Sequence, residues 1–214
     1  MPRKNISIRR PKPQRNEFKK ILIVCEGSKT EPNYLHDACR YYRINTASVE
    51  IAGKECDSAP ITVFRYARDR FSEDPSFDEV YCVIDRDSHP TFDDAVSACR
   101  AHPSKRFHSI SSYPCFEYWI FLHFHFTRAP VHAAGGSSPG DVMLKMVRQS
   151  WPEYTKGLSD CFIELQKNGR FDIAMKNANL ARKDAISTGE PNPSTDCDQL
   201  LQRIIDLAKE QGVL

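Results

Sequence analysis

The sequence lacks the features that would place it among zinc-binding, membrane or ATP-hydrolysing proteins. None of its eight cysteines lies in a CxxC pair, which argues against a zinc cluster. No apolar run has the length of a membrane span, and no secretory signal is recognisable. No GxxxxGK[ST] phosphate loop occurs, so any use of ATP would have to come from a partner. These absences favour a cytoplasmic protein with reduced thiols and no membrane association.

The small net charge of +2 conceals an uneven distribution of charged residues. Residues 1–20 hold eight Lys or Arg and one acid, so this segment carries +7. The remaining 22 basic and 27 acidic residues sum to −5. A basic arm therefore precedes a mildly acidic body. The arm is either a contact for nucleic acid or a solvated, flexible tail, and the sequence leaves both open.

Strand and helix patterns alternate through the first half of the chain. The strand patterns are short apolar runs, and they occur at 21–25, 47–53, 79–85 and 106–112. The helical patterns between them have apolar residues on one face, and they occur at 30–44, 59–71 and 91–102. Thr91 is a candidate N-cap for the last of these helices. This order predicts an α/β fold whose mostly parallel sheet has helices on both faces.

The second half of the chain has the composition of a helical region. Residues 115–126 are very apolar and predict a helix packed on the sheet. Residues 128–140 are rich in Gly, Pro and Ser, which is typical of a loop. Further helical patterns follow at 141–149, 159–168, 170–186 and 196–210.

These patterns divide the chain into three parts. We expect a basic flexible arm at 1–20, an α/β core at 21–113, and a helical C-terminal part at 114–214 that packs on the core. A length of 214 residues suits one domain, or one domain with an appended lobe.

Acidic residues follow two strands of the predicted sheet. Glu26 comes directly after the first strand, and Asp85 and Asp87 mark the end of the third. Ligands of open parallel sheets gather at the carboxyl ends of the strands, so we expect these acids to meet. The i, i+2 spacing would put both aspartates on one side of an extended segment and send Arg86 to the other. Three such acids would repel one another unless a cation lay between them, and carboxylates suit Mg²⁺ or Mn²⁺.

Gly27 follows Glu26 and has a physical explanation of its own. A glycine lets the backbone approach a phosphate or a metal closely, or adopt a positive φ. A Glu-Gly pair after a strand and an Asp-x-Asp turn each occur without any function. Their combination in this strand order is what indicates an active site.

This combination resembles the Toprim domain, which uses a Glu after its first strand and an Asp-x-Asp after a later one for metal-dependent phosphodiester chemistry. Four segments narrow the resemblance: VCEGSKTEPNYL, VIDRDSH, SYPCFEYWIFLHF and NPSTDC. As a set, they look like the RloB family of prokaryotic defence and abortive-infection proteins, over about residues 20–206. The EGxxTEP segment is also similar to the Toprim part of OLD-family nucleases.

The resemblance implies roles for particular residues. Glu26, Asp85 and Asp87 would be metal ligands with catalytic roles. Glu31 would be either a ligand of a second metal or an acid next to the ligands that does not itself bind metal. Glu117 resembles a further acidic position of OLD-type nucleases and would also be a metal ligand. Lys156 resembles a late lysine there that would stabilise charge in the transition state. Two ions roughly 4 Å apart would activate water and stabilise the leaving oxygen.

Several candidates also have a purely structural interpretation. Glu31 could only favour the positive end of its helix, and Glu117 could be a paired buried acid. His89 is either a ligand or acid–base group, or a surface side chain. Ser194 and Thr195 could cap a helix or, with Gly27, bind phosphate.

The acidic motifs and the resemblance together predict a metal-dependent nuclease that uses Mg²⁺ or Mn²⁺ and acts on nucleic acid. The resemblance further implies a role in antiviral defence and a separately encoded ATPase as partner. The alternatives are a Toprim-type phosphoryl or nucleotidyl transferase and a non-catalytic nucleic-acid-binding subunit of a defence complex. The sequence does not distinguish DNA, RNA and tRNA as substrates, and it leaves cleavage specificity, activating trigger and oligomeric state open, including a homo-oligomer.

Overall fold

The computed structural model describes residues 18–53, 59–87 and 89–214, and only the backbone of Asn168. Residues 1–17, most of the expected basic arm, therefore lie outside the described residues. Among the helices of the described ranges, none combines the length and the apolar character that a membrane span requires.

A five-stranded sheet forms the centre of the molecule, with the strand order β2-β1-β3-β4-β5. All pairings are parallel except the last, in which β5 runs antiparallel to the end of β4. The strands are β1 Ile21–Cys25, β2 Val49–Ala52, β3 Glu79–Asp85, β4 Phe107–Tyr113 and β5 Ser194–Thr195. The predicted α/β class with a mostly parallel sheet is confirmed.

Eight α-helices cover both faces of this sheet in the described part of the chain. They are α1 Thr30–Tyr41, α2 Pro60–Glu73, α3 Phe92–Ala101, α4 Glu117–Phe121, α5 Pro139–Ser150, α6 Cys161–Gln166, α7 Arg170–Thr188 and α8 Cys197–Glu210. Alternate residues of β1 point to opposite faces. Leu22 and Val24 pack with α2 and α3, whereas Ile21 and Ile23 pack with α1 and the C-terminal helices.

The order of the strands reverses at β1: the next strand along the chain lies on one side of β1, and all later strands lie on the other side. Helix α1 leads outward from β1 to β2, and α2 then carries the chain back over the other face to β3 on the opposite side of β1. The carboxyl ends of β1 and β3 therefore flank the point where the strand order reverses. In open α/β sheets this is where ligands bind.

The predicted helix over 115–126 is wrong in length, because only Glu117–Phe121 is α-helical. The ring of His123 causes the change, since its Nδ1 lies 3.0 Å from the Trp119 carbonyl oxygen. That oxygen would accept the His123 N–H in an α-helix, and this N–H donates to Ile120 O instead. The segment continues in tighter turns and does not extend α4.

Two predicted helix caps also differ from the structure. Thr91 is the N-cap residue of α3, but its hydroxyl makes no capping hydrogen bond. Ser194 and Thr195 form β5, and Asp196 is the N-cap of α8. Thr195 still acts much as a cap does, because its hydroxyl accepts a hydrogen bond from the N–H of Cys197, the first residue of α8.

Candidate active site at the carboxyl ends of β1 and β3

Glu26 lies across the ends of the two central strands. Its N–H donates to Val83 O at 3.0 Å, which extends the β1–β3 ladder one residue beyond β1. Its side chain turns toward β3, where Oε2 accepts the Asp85 N–H at 3.0 Å. The parallel register, in which Cys25 pairs with Val83, thus brings these two predicted acids together.

Asp85 is surrounded by other acids. Its Oδ2 accepts the N–H of Phe116 at 3.1 Å, and this hydrogen bond favours the ionised carboxylate. Burial nevertheless raises the pKa of Asp85 well above its ordinary value, and the nearby charges of Glu31, Glu117 and Glu26 raise it further. One hydrogen bond therefore does not offset the repulsion from three carboxylates.

Glu31 lies folded against the turn that follows β1. A Cβ at Gly27 would be 2.0 Å from Glu31 Oε2, so no residue but glycine fits unless the carboxylate moves. Gly53 has a similar constraint, because a Cβ there would be 2.5 Å from Gly27 O. The approach of a phosphate or a metal to Gly27 stays a prediction, and the group that lies against Gly27 in the structure is the Glu31 carboxylate of the protein itself.

Two of the acids have pKa values near neutrality. Burial raises the pKa of Glu26 to about 7 against a hydrogen bond from Asp85 N–H, and Glu31 and Asp87 add repulsion. Burial likewise raises the pKa of Glu31 to about 7, with a further rise from Glu117 and an opposing effect from Lys156. Five carboxylates are thus linked by mutual repulsion.

A cavity of about 270 Å³ opens between the β1–α1 turn and the loop that carries Lys156. Lys156 Nζ lies 3.6 Å from Oε1 of the buried Glu117, and its side chain is 54% exposed. Burial alone would lower the pKa of Lys156, but Glu117 and other anionic neighbours outweigh that effect and raise it. The lining residues include both Lys156 and Lys29, together with three of the acids, Glu31, Asp85 and Glu117.

The loop that carries Lys156 is attached to α1. Asn33 Nδ2 donates to Gly157 O at 2.9 Å, and Gly157 has a φ of +78°. A Cβ on Gly157 would be 2.9 Å from Lys29 Cβ, so glycine allows the loop to approach the turn. Sequence reasoning missed Lys29, Asn33 and Gly53, although the first two lie in the quoted VCEGSKTEPNYL segment and Gly53 follows a strand as Gly27 does.

Asp87 does not lie on the same side of an extended segment as Asp85, and that part of the prediction is wrong. Asp87 is in a turn with a φ of +24°, held by its N–H donating to Pro114 O at 2.8 Å. It lines a second cavity together with Arg86, the residue predicted to point away from it. Its Oδ1 is buried and has no hydrogen-bond partner among the residues that the structure describes.

Three candidates remain: His89 lies close to the acids, whereas Ser194 and Thr195 do not. His89 Nε2 lies 3.4 Å from Glu26 Oε1. Ser194 and Thr195 are buried in β5, where the Thr195 hydroxyl lies 3.0 Å from Ser112 Oγ. Within the described ranges, neither Ser194 nor Thr195 donates a hydrogen bond to any of the five carboxylates.

The donor chemistry of the cluster suits a hard divalent cation. It offers carboxylate oxygens, and one of them, Asp87 Oδ1, is buried with no hydrogen-bond partner in the described ranges. As the side chains stand, however, no three His, Cys, Asp or Glu residues of the described part are gathered closely enough to hold a metal ion. Glu26 and Asp85 each give one carboxylate oxygen to a backbone N–H, so binding would require the side chains of the cluster to close around the ion with their other oxygens.

The fold and the site together define an α/β protein whose strand order reverses at β1 and whose acidic cluster lies at that point of the sheet. Comparison with protein families matches residues 21–204 to the RloB-like proteins, and the chain belongs to this family. The family prediction is therefore confirmed. Neither curated proteins nor solved structures gave a match.

Proposed function

We propose that this RloB-like protein is a divalent-metal-dependent nuclease whose active site is the acidic cluster. The observation that supports this proposal is the meeting of acids at the carboxyl ends of β1 and β3, where Glu26 Oε2 accepts the Asp85 N–H and Glu31, Asp85 and Glu117 line one cavity. Burial and neighbouring acids raise the pKa of Glu26, Glu31 and Asp85 there. Lys156 and His89 are the cationic or potentially cationic groups in contact with the cluster among the described residues. Two such groups against five acids leave an excess of negative charge that a metal ion would neutralise.

Glu26, Asp85 and Asp87 would hold the cation, with Glu31 and Glu117 as further ligands if a second ion binds. When bound, Mg²⁺ or Mn²⁺ would lower the pKa of an attached water and stabilise the leaving oxygen of a phosphodiester. The backbone N–H groups of Asp85 and Phe116 orient the carboxylates of Glu26 and Asp85, as outer hydrogen bonds orient metal ligands elsewhere.

The two lysines on the cavity would bind the substrate phosphate. Lys156 is tied to Glu117 on one side and half exposed on the other, which suits contact with a non-bridging oxygen. A lysine ammonium acts as a compact point charge with three donors, and it stabilises charge that develops during reaction. Lys29 lines the same cavity from the β1–α1 turn.

The wider biological role comes from the family resemblance. We propose that the nuclease acts in the cytoplasm in antiviral defence, and that an ATPase encoded separately supplies any ATP-dependent step, since the chain has no phosphate loop. The basic arm at 1–20, with its charge of +7, would add a salt-dependent contact to nucleic acid.

Cleavage of labelled DNA, RNA and tRNA panels tests the proposal, with Mg²⁺, Mn²⁺ or EDTA and with or without the ATPase. We expect metal-dependent cutting by the wild type and a loss on the order of 10²-fold in Glu26→Gln, which keeps the size of the side chain but removes its charge. Glu164→Gln is the matched control, because Glu164 is an exposed acid of α6 that pairs with Lys167. A folded Glu26→Gln protein with full turnover would contradict the proposal.

A non-catalytic nucleic-acid-binding subunit is the second candidate. The observation that favours it is the absence of three gathered ligands in the described residues. Binding without cleavage under every metal and partner condition would support this candidate over the nuclease.

A further inference from the structure

A second cavity, of about 300 Å³, shares Asp87 with the acidic cluster. Its other lining residues are Arg86 after β3, residues at the end of β4, the first residue of α5, and residues of two loops, one before α5 and one before β5. None of these loop residues has a role in the proposed metal site. Because the cavity lies beside an acid of that site, a substrate bound at the acidic cluster would be able to extend into it.

The two loops that form the cavity wall are connected by specific hydrogen bonds. Asn192 and Val131 are paired in both directions: Nδ2 of Asn192 donates to Val131 O at 3.0 Å, and its Oδ1 accepts the Val131 N–H at 3.2 Å. Arg128 donates to the carbonyls of Glu190 and Pro193 and to the Asp184 carboxylate. These hydrogen bonds hold the two loops in a fixed position. The side-chain amide of Asn192 makes the same pair of hydrogen bonds to Val131 that the backbone of a neighbouring strand would make.

The cavity combines an aromatic residue, proline rings and groups that can bind an anion. Tyr113 is partly buried and makes an edge contact with Phe92 at 5.1 Å between ring centroids. Arg86 donates to His89 O at 3.0 Å and keeps other N–H donors for a ligand, because a guanidinium has five. His132 is exposed on the rim. Such a lining suits a flat base together with a phosphate.

The size of the cavity limits what can enter it. A volume of about 300 Å³ lies at the lower end of the range for small-ligand pockets and suits one nucleoside, but not a base pair. A base can reach such a pocket only when it is unstacked, as in single strands, loops and ends.

We propose, on the basis of the nuclease function proposed above, that this cavity binds one unstacked nucleotide next to the phosphodiester that the acidic cluster cleaves. The substrate class is accordingly single-stranded nucleic acid or an unpaired loop. Tyr113 supports the base, and Arg86 and His132 contact the flanking phosphate. Asp87 lines the nucleotide pocket and is also one of the five acids of the cluster, so it would take part in both functions.

Equilibrium binding tests the pocket without cleavage. The probe is a labelled single-stranded RNA or DNA of about eight nucleotides, added to the full chain carrying Glu26→Gln, with the same sequence as a duplex for comparison. We expect the single strand to bind more tightly than the duplex. Adding Tyr113→Leu should weaken single-strand binding by roughly 5- to 100-fold, whereas Tyr113→Phe, which keeps the ring, should change it less than about threefold.

Two further variants keep this test decisive. His132→Ala changes an exposed position and serves if Tyr113→Leu fails to fold; it should weaken binding by roughly 2- to 10-fold. Gln202→Ala is the matched control, because Gln202 is an exposed residue of a different cavity, beside β4 and α8, and should have no effect. Unchanged single-strand affinity in both Tyr113→Leu and His132→Ala would overturn the proposal.

Cleavage assays distinguish failure of the pocket from failure of the nuclease. If the metal-loaded wild type cuts duplex and single strand equally well, and His132→Ala does the same, the pocket is wrong while the nuclease stands. If no metal gives cleavage but single-strand binding depends on Tyr113, the nuclease is wrong and the cavity remains a nucleic-acid site.

Discussion

The two ends of strand β3 carry partly buried acids in opposite electrostatic surroundings. At its start, Glu79 receives a two-point hydrogen bond from Arg203, at 2.8 and 3.0 Å, and another from the Tyr81 hydroxyl at 2.8 Å. At its end, Asp85 receives a hydrogen bond only from the backbone N–H of Phe116 among the residues that the structure describes, and it faces three other carboxylates.

The consequences for proton binding have opposite signs. Burial alone would raise the pKa of Glu79, but the hydrogen bonds from Arg203 and Tyr81 outweigh it, and the pKa is lowered. At Asp85, burial and the neighbouring acids act together and raise the pKa. Both ends carry an acid, and the difference lies in the deeper burial of Asp85 and in the partners of the two side chains. In the described part of the chain, Arg203 pairs with the acid at the amino end of β3, whereas Asp85 at the carboxyl end faces other acids.

The largest expected effect is on catalysis. Asp85→Asn should lower metal-dependent cleavage on the order of 10²-fold or more, because it removes a charge from the proposed metal site. It should not destabilise the metal-free protein, since it also removes repulsion. Initial cleavage rates and urea unfolding of the same preparations measure the two effects.

Glu79→Gln is the control at the other end of the same strand. It should keep the cleavage rate and lower the free energy of unfolding by about 1–3 kcal/mol, since it removes the two-point charged pair with the partly buried Arg203 and leaves Glu210 as the remaining acid beside it. We expect Glu79→Gln to lose stability and keep activity. If Asp85→Asn behaved in the same way, the proposed difference between the two ends of β3 would be wrong.

Metal binding to the acids at the carboxyl ends of β1 and β3 should stabilise the folded protein. A cation at 100 times its dissociation constant stabilises the native state by about 2.7 kcal/mol. For a chain of this size, that corresponds to a rise in Tm of roughly 5 °C or more. Thermal unfolding with Mn²⁺ or EDTA should show this rise in the wild type and in Glu79→Gln. A comparable rise in Asp85→Asn would place the binding site elsewhere.

The metal-free protein should lose stability as the pH rises from about 4.5 to about 7. The pKa of Glu26 rises from 4.5 to about 7 on folding, so within this window the folded state holds the proton more tightly than the unfolded state does. Glu26→Gln should be more stable than the wild type by about 1–3 kcal/mol at pH 8, and similar to it at pH 5. Glu79 contributes with the opposite sign, because its pKa is lowered and its stabilisation is lost on acidification.

Urea unfolding in EDTA at pH 5 and pH 8 measures this difference. Equal stability of wild type and Glu26→Gln at pH 8 would mean that Glu26 is not strained by its surroundings.

The smallest expected effect concerns the support of Lys156. Asn33→Ala removes the hydrogen bond to Gly157 O and should cost about 0.5–1.5 kcal/mol of stability. It should also lower cleavage by a few-fold, because Lys156 would be less well positioned. Asn177→Ala is the matched control, since it removes the same kind of bond, from Asn177 Nδ2 to Leu122 O at 2.9 Å. Equal cleavage rates in the two variants would show that Asn33 is only structural.

The sequence predicts the scaffold of the site well. Strands β1 and β3 were predicted with the bounds that the structure has, since each is an apolar run that ends at a charged residue. Parallel topology then places Glu26 beside Asp85 without any knowledge of side-chain contacts. These features depend on local pattern and on a general rule of α/β sheets.

The features that the sequence did not predict depend on distant partners. The positive φ of Asp87 is held by a carbonyl beyond the end of β4, and no local signal specifies it. The early end of α4 depends on which carbonyl the His123 ring contacts. The roles of Asn33 and Arg128 arise only when loops far apart in the chain meet.

Direct titration of Mn²⁺ into the metal-free protein at pH 7.5 tests the central claim most directly, that the carboxyl ends of β1 and β3 form a cation site. Calorimetry or the electron paramagnetic resonance signal of unbound Mn²⁺ reports binding without any substrate. We expect saturable binding in the wild type, the same binding in Glu79→Gln, and an affinity at least about tenfold weaker in Glu26→Gln and Asp85→Asn. Unchanged Mn²⁺ affinity in both of these variants would contradict the claim.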